Sequence, residues 1–413
     1  MTARKPAIGF IFLTLLLDVM GIGLIIPVAP KLVEQLMGVP EQEAAPYVGA
    51  LSATYAAMLF LFAPVLGALS DRFGRRPVIL ISLFGSGLDY FAAAMAPTIW
   101  ILFITRALNG ISGASMTAAS AYIADITPPE KRAAGFGMIG AAFGLGFIIG
   151  PLCGGLLGKY DIHYPFYAAG TLTLLNWFYG YMVLPESNPP ERRVPLSIGR
   201  MNPIGVFVHL SRYPFVMILG GAFFLLNTAQ FALHATWVLY TSYRYKWGTL
   251  DTGLSLALVG LMAAIVQGGL ARRIIPALGE KKSLLLGLAI GVAAYAGYGA
   301  ATQGWMIYVI LVLASFGGIA QPAAQSMITK AVRADEQGQT QGALTGLQSL
   351  ANILGPIMGT YAFHTFANAD ARIYIPGASF FASALVALLG LVVAAWAMGR
   401  PDAPSARGVK DAA

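Results

Sequence analysis

Three ionisable residues, Asp18, Asp89 and Arg106, stand inside runs that are otherwise apolar. A charge held at mid-bilayer costs about 3 kcal/mol on insertion scales, so each is read as chemistry before it is read as packing. Asp18 lies near the centre of its run. Asp89 falls about seven residues before the end of one run and Arg106 about eight after the start of the next, which at 1.5 Å rise per residue gives the same depth. An Asp89–Arg106 pair is therefore geometrically open. A carboxylate beside an arginine stays ionised until a rearrangement separates them, and then it takes a proton. The expectation is that Asp18 is the principal proton-handling acid, with Arg106 tuning it and Asp89 sharing the path. A static buried pair that only fixes helix packing is the competing reading.

The elements that hold these residues must be membrane helices. Of 413 residues, 57% are hydrophobic and 11% charged, with a mean hydropathy of +0.70. Soluble domains carry about twice that charged fraction, so lipid is the solvent for most of this chain. The net charge of +8 comes from short loops between apolar runs and forms no basic face, which excludes a nucleic-acid partner. A lone Cys153 allows no internal disulfide, and four scattered histidines offer no metal-ligand spacing. No G-x-x-x-x-G-K-[ST] loop is present for nucleotide, and no nucleophile elbow or catalytic carboxylate pair, so neither a nucleotide-driven pump nor an enzyme is expected.

By the rule of about 20 apolar residues per span, candidate helices run roughly over 7–30, 46–69, 77–97, 98–122, 133–157 and 162–184, then 213–240, 250–271, 283–302, 304–329, 338–364 and 374–398. The fold class expected is all-α integral membrane, twelve helices in two bundles: residues 1–184, a cytoplasmic linker over 185–212, and residues 213–413. Residues 204–210 could form a short amphipathic surface helix in that linker, or a plain solvated loop. With a cytoplasmic N-terminus, about 20 of the 26 Lys and Arg fall inside, so both termini are expected in the cytoplasm. The short loops point to a bacterial inner membrane.

An internal repeat supports two halves. Gly150-Pro151 with Gly154 recurs 205 residues on as Gly355-Pro356 with Gly359, and Glu130, Gly137 and Gly113 meet Asp335, Gly342 and Gly318 at the same offset. Two parallel repeats are a transporter architecture, with the substrate site near mid-membrane at their interface. At that offset Asp18, Asp89 and Arg106 become Phe223, Ala294 and Leu311. Proton chemistry thus belongs to the first half. The second half offers neutral groups suited to an amphipathic ligand with hydrogen-bonding edges: Asn227, Gln230, His234, Trp237 and Tyr240, then Gln267, Gln321, Gln325, Gln348 and Asn352. Tyr55 and Asn109 are expected to join Gln230, His234, Trp237, Gln267, Gln321 and Gln325 around the substrate.

Three motifs carry a family resemblance. Gly67-x3-Asp71-Arg72-x-Gly74-Arg75-Arg76 resembles the loop motif of the major facilitator superfamily. The resemblance implies a cytoplasmic gate in which Asp71 approaches the eleventh span and Arg75 reaches Asp125. Leu102-x3-Arg106-x2-Asn109-Gly110-x2-Gly113 resembles the family's membrane-embedded arginine motif, and Gly144-x5-Gly150-Pro151-x2-Gly154-Gly155 its antiporter motif. The stretches Leu17–Pro27, Ser70–Val78, Leu88–Tyr90 and Gly144–Gly146 are similar to the tetracycline/proton antiporters almost residue for residue, with Trp237–Leu239 and Gly279–Lys281 continuing the likeness. Membership implies export of a small amphipathic compound against protons, with no cofactor and a substrate able to arrive as a magnesium complex. A monomer is expected to suffice. Well-known members carry a His in the eighth span and an Asp in the ninth, where this chain has Ala263 and Gly291. A metabolite importer and a non-transporting receptor on the same fold are the alternatives. The antiporter motif argues against the first, and Asp18, costly without a role, against the second.

Overall fold

The computed structural model describes residues 8–113, 115–127, 132–193, 195–196, 212–333, 336–368 and 371–400. Within them the chain is helical, without a strand. In order the long helices are α1 (Phe12–Met37), α2 (Glu41–Phe73), α3 (Arg75–Ala94), α4 (Ile99–Ile126), α5 (Arg132–Gly158) and α6 (Tyr164–Val183). They are followed by α7 (Pro214–Tyr245), α8 (Thr249–Leu278), α9 (Glu280–Ala300), α10 (Gly304–Ala331), α11 (Gln337–Ala367) and α12 (Ala378–Ala397). Ten are both long and apolar enough to cross a membrane. The other two, α6 and α11, are 20 and 31 residues long. At 1.5 Å per residue even α6 reaches about 30 Å. Tyrosines in α6 and glutamines in α11 lower their hydropathy.

Exposed side chains identify the solvent. Ile81 is 73% and Leu385 60% exposed in mid-helix, and many other leucines, isoleucines and phenylalanines stand exposed along the helices, an apolar surface suited to lipid. Trp100, Trp305 and Trp396 stand exposed at helix ends, the positions where amphipathic rings mark a bilayer interface.

Local sequence explains the irregularities. Pro27 and Pro30 interrupt α1, which stops at Ile25 and resumes at Ala29. The second piece was expected to be loop. Pro46 and Pro64 stand inside α2 without ending it, although each forfeits one intrahelical N–H bond. A π-helical turn over Val266–Leu270 interrupts α8, and a 3-10 turn over Phe316–Ile319 interrupts α10.

The chain falls into two compact units, one within residues 1–203 and 241–261, the other within 204–240 and 262–413. The first takes the last residues of α7 and the first half of α8 along with α1–α6. Its core joins Leu15, Ile79, Leu83, Tyr122 and Ile123. The second centres on Val216, Leu219, Leu284, Ala323 and Ala394. The expected surface helix at 204–210, the Glu130–Asp335 match and both chain termini lie outside the described residues.

Glycine seams bind the helices, as expected where lipid removes the hydrophobic drive for association. A Cβ on Gly150 would fall 2.8 Å from Gly23 Cα, and one on Gly154 would strike the Leu24 backbone, so α5 lies directly on α1. In the second unit a Cβ on Gly355 would lie 2.6 Å from the Thr228 carbonyl and one on Gly359 2.7 Å from that of Ala232. The sequence repeat is thus a repeat of packing, α5 on α1 and α11 on α7.

Candidate functional site

The loop motif builds one end of the first unit. Gly74 holds φ +106°, which a side chain with a Cβ rarely adopts, and lets α2 turn straight into α3. The first amides of a helix lack intrahelical partners, and here Glu186, just past α6, supplies them. Arg75 N donates to Glu186 Oε1 at 2.8 Å and Arg76 N to Oε2 at 3.2 Å. The Arg75 side chain bridges two acids, Nη1 to Asp71 Oδ1 at 2.5 Å and Nε to Asp125 Oδ2 at 3.1 Å. Ser187 Oγ donates to Asp125 at 3.1 Å and Asn188 Nδ2 to the Asp71 carbonyl at 3.0 Å. Arg76 donates to the Tyr181 carbonyl at 2.7 Å, while Arg72 is exposed. Gly67 sits near Thr117 of α4, its Cβ position 3.5 Å from that side chain. Asp71 is engaged by Arg75 of its own unit. Glu186, Ser187 and Asn188 were missed in the sequence, because an acid 111 residues from the turn it caps leaves no spacing to read.

Two of the embedded charges meet where the later part of α3 lies beside the early part of α4. Asp89 is 6% exposed. Its Oδ2 accepts from Asn109 Nδ2 at 2.8 Å and from Arg106 Nη2 at 3.4 Å, while Oδ1 is buried with no partner. Asn109, expected beside the substrate, here holds Asp89. Tyr55 on α2 lays its hydroxyl against Gly113, whose Cβ position is 2.8 Å away, which explains why the arginine motif ends in that glycine. Tyr55 and Tyr90 both lie within electrostatic reach of Asp18 and Arg106. A Cβ on Gly21, one turn past Asp18, would lie 3.8 Å from the Tyr90 hydroxyl. Asp18 is half-buried and has no hydrogen-bond or ion-pair partner among the described residues. The structure therefore gathers Asp18, Tyr55, Asp89, Tyr90, Arg106 and Asn109 into one neighbourhood.

Of the antiporter motif, Gly150 and Gly154 face α1, while Gly155 meets the first turns of α8 through Thr249 and Gly253. The Pro151 carbonyl abuts Gly253 from the same side. Gly144 has open space where a Cβ would go.

The neutral groups of the second unit divide. Gln230 accepts from Tyr295 Oη at 2.7 Å and pairs with His234 Nε2 at 2.8 Å, both residues being exposed. Trp237, only 3% exposed, is packed edge-on against Tyr298 and Phe380 and belongs to the core. Gln267 is the second residue of the π-helical turn of α8 and lies against Gly318. Gln321 and Gln325 line a cavity together with Asn227, Gln348, Gln341 and Thr345, the last two unread in the sequence. Among the described residues no group of three His, Cys, Asp or Glu side chains could hold a metal ion.

Comparison with known proteins places this geometry. The description of the Major Facilitator Superfamily matches residues 11–356 and again 277–412. The class C tetracycline resistance protein of Escherichia coli is 41% identical over 384 residues, 93% of this chain and 96% of that protein. The class G protein of Vibrio anguillarum is 39% identical over 366 residues, 88% and 92% of the two chains. Among solved structures, the human organic anion transporter MFSD10 (TETRAN) superposes with a TM-score of 0.70 at 25% identity, covering 94% of this chain and 98% of that one. A sequence match across both units, joined to the loop motif, an embedded Asp–Arg pair and paired glycine seams, leads to one conclusion: the chain belongs to the Major Facilitator Superfamily, as a membrane transporter related to the tetracycline resistance proteins.

Proposed function

We propose that the protein is a proton-coupled antiporter that exports a small amphipathic compound by alternating access. It works as a monomer in a bacterial inner membrane with both termini cytoplasmic. The observation that carries this reading is the Asp89 carboxylate, shielded from lipid and water, with Arg106 and Asn109 on one oxygen and nothing on the other. A pair built only for packing would satisfy both oxygens, since an orphaned buried acceptor costs about 1–3 kcal/mol. Oδ1 is the atom left to receive a proton. Asp18, unpartnered in the same neighbourhood, is the second acid of the path and the one expected to exchange protons with substrate. The likeness to tetracycline resistance proteins supports a drug as the transported compound.

The test is substrate-driven proton movement in proteoliposomes holding an interior pH dye, with tetracycline plus Mg²⁺ beside a panel of amphipathic drugs. Wild type should move protons when one of these is offered. Asp18→Asn should insert normally and lose that movement, and Asp89→Asn should lower its rate at least about tenfold, the loss of one proton-transfer group being worth 10²–10⁴ in general acid–base chemistry. Normal coupling in Asp18→Asn would remove the proposal.

A further inference from the structure

The second unit carries cations that meet no acid. After the turn at Gly279, Glu280 is taken up by Lys330 and Ser326. Lys281 and Lys282, both exposed, have no carboxylate partner among the described residues. By contrast, Arg75 bridges Asp71 and Asp125, and Arg212 reaches Glu336. Lys281 Nζ donates to the Met398 carbonyl at 3.1 Å, which ties the start of α9 to the end of α12, the helix along which α9 packs. Just past that carbonyl, the Arg400 guanidinium lies 5.5 Å from the centroid of the Trp396 ring. Lys281, Lys282 and Arg400 thus crown one end of a helix pair.

The flanks of the same two helices are apolar and exposed. On α9, Lys282, Leu286, Ala289 and Ala293 follow at i, i+4, i+7 and i+11, a single helix face, and all four are exposed. On α12 the exposed residues Leu385, Leu389, Val392 and Trp396 keep the same spacing, and Arg400 stands four residues further on. Each stripe is apolar along its length and ends on a cation. A phospholipid has that profile: hydrocarbon along the helix, and a phosphate at the level where Lys and Arg heads emerge and indole rings lie.

Topology alone does not account for the arrangement. The positive-inside rule selects the end that carries charge, not the stripe on which the charge sits, nor its lack of acidic company. That lack also selects the head group. A zwitterionic head brings its own ammonium, which Lys281 and Lys282 repel and no free carboxylate receives. A head whose only charge is its phosphodiester is drawn to the basic residues at the membrane surface.

We infer that the joined ends of α9 and α12 bind one anionic phospholipid, its phosphate held by Lys282 and Arg400 beside Trp396 and its chains laid on the two apolar stripes. Lys281 adds charge and, through Met398, fixes where Arg400 stands. The site is independent of the cargo and of proton coupling.

The test titrates full-length protein in detergent micelles with phosphatidylglycerol or phosphatidylcholine whose chains are brominated, bromine being a quencher of indole rings in contact with it. The Trp396 signal is the difference between wild type and Trp396→Phe. Phosphatidylglycerol should quench it at about one twentieth of the lipid fraction that phosphatidylcholine requires, since each cation near a membrane surface is worth about fivefold. The double variant Lys282→Gln with Arg400→Gln should lose that preference and keep the phosphatidylcholine curve, which misfolding would alter. If the double variant does not fold, Lys282→Gln alone should lose about fivefold. Lys282→Arg, and Lys159→Gln on the first unit, should each behave as wild type. Excess glycerol phosphate should not displace the lipid. Equal quenching by the two lipids in wild type, or an undiminished preference in the Gln variants, would overturn the site. Displacement by glycerol phosphate would overturn it too, by making the cations a place for a soluble phosphate.

Discussion

The turn between α2 and α3 in the first unit and the turn between α8 and α9 in the second are built to one plan with opposite charge. Gly74 and Gly279 stand 205 residues apart, and both hold positive φ, +106° and +81°. The residue after each is charged and pairs with a partner near the end of the second helix on. Arg75 meets Asp125 at 3.1 Å, and Glu280 meets Lys330 at 2.7 Å, each at the same offset. Base and acid have exchanged places. The surroundings differ as well. Gly74 is covered by the Glu186 carboxylate, whereas nothing lies within 4 Å of the Cβ position at Gly279. A common backbone has thus been kept while the charges were assigned separately. The same holds at mid-membrane, where Asp18 corresponds to Phe223 and the amides of α10 and α11 have apolar or hydroxyl counterparts such as Phe143 and Ser120. Geometry is shared between the halves, and chemistry is not.

The sharpest way to break that comparison is at the glycine seams. Gly154→Val and Gly359→Val should each cost about 3 kcal/mol or more, because the added atoms meet backbone that has no rotamer in which to yield. Membrane yield and thermal unfolding of the purified protein would show it. If Gly359→Val folds like wild type while Gly154→Val does not, the two seams are not equivalent. A smaller effect is expected at the charge pairs. Lys330→Glu should weaken the second unit by up to about 1 kcal/mol, as half-exposed pairs do, and adding Glu280→Lys should restore the loss. The corresponding exchange of Arg75 and Asp125 should fail to restore transport, since Arg75 also serves Asp71 and Ser70. Transport and thermal stability of the single and double variants of each pair check this; equal recovery of both readouts in both pairs would show that the polarity is arbitrary. The smallest effect is assigned to Gly144→Ala. With open space at that Cβ, the variant should match wild type in melting temperature and transport, within about 0.5 kcal/mol. A clear loss would mean that the whole antiporter motif, and not only its seam residues, is constrained.

The sequence showed the twelve helices because length and apolarity are what a bilayer demands, and it showed the repeat because close helix contact admits few residues besides glycine. The Asp89–Arg106 approach followed from depth alone. What stayed hidden depended on distant chain segments. Glu186 reads as one acid in a polar linker until Gly74 is seen beneath it. Trp237 reads as a ligand contact because an amphipathic ring suits a cavity and a core equally. Gln341 and Thr345 are legible only once Gln321 and Gln325 are known to face them. The helix from Ala29 to Met37 was missed because Pro27 and Pro30 suggest an ending, although the second of them can start a helix as well as close one.

The π-helical turn in α8 has a further consequence. Gly253, Gly260 and Gln267 follow one another at sevens, a single stripe whose first two members lie against Pro151 and Ile148 of α5. A π turn inserts one residue more than the α-helical repeat requires, so everything after Leu270 is rotated by about 100° relative to that stripe. The change of phase comes shortly after residue 261, where α8 passes from one compact unit to the other. One continuous helix is thus keyed like two shafts joined by a coupling, each cut to mesh with its own bundle.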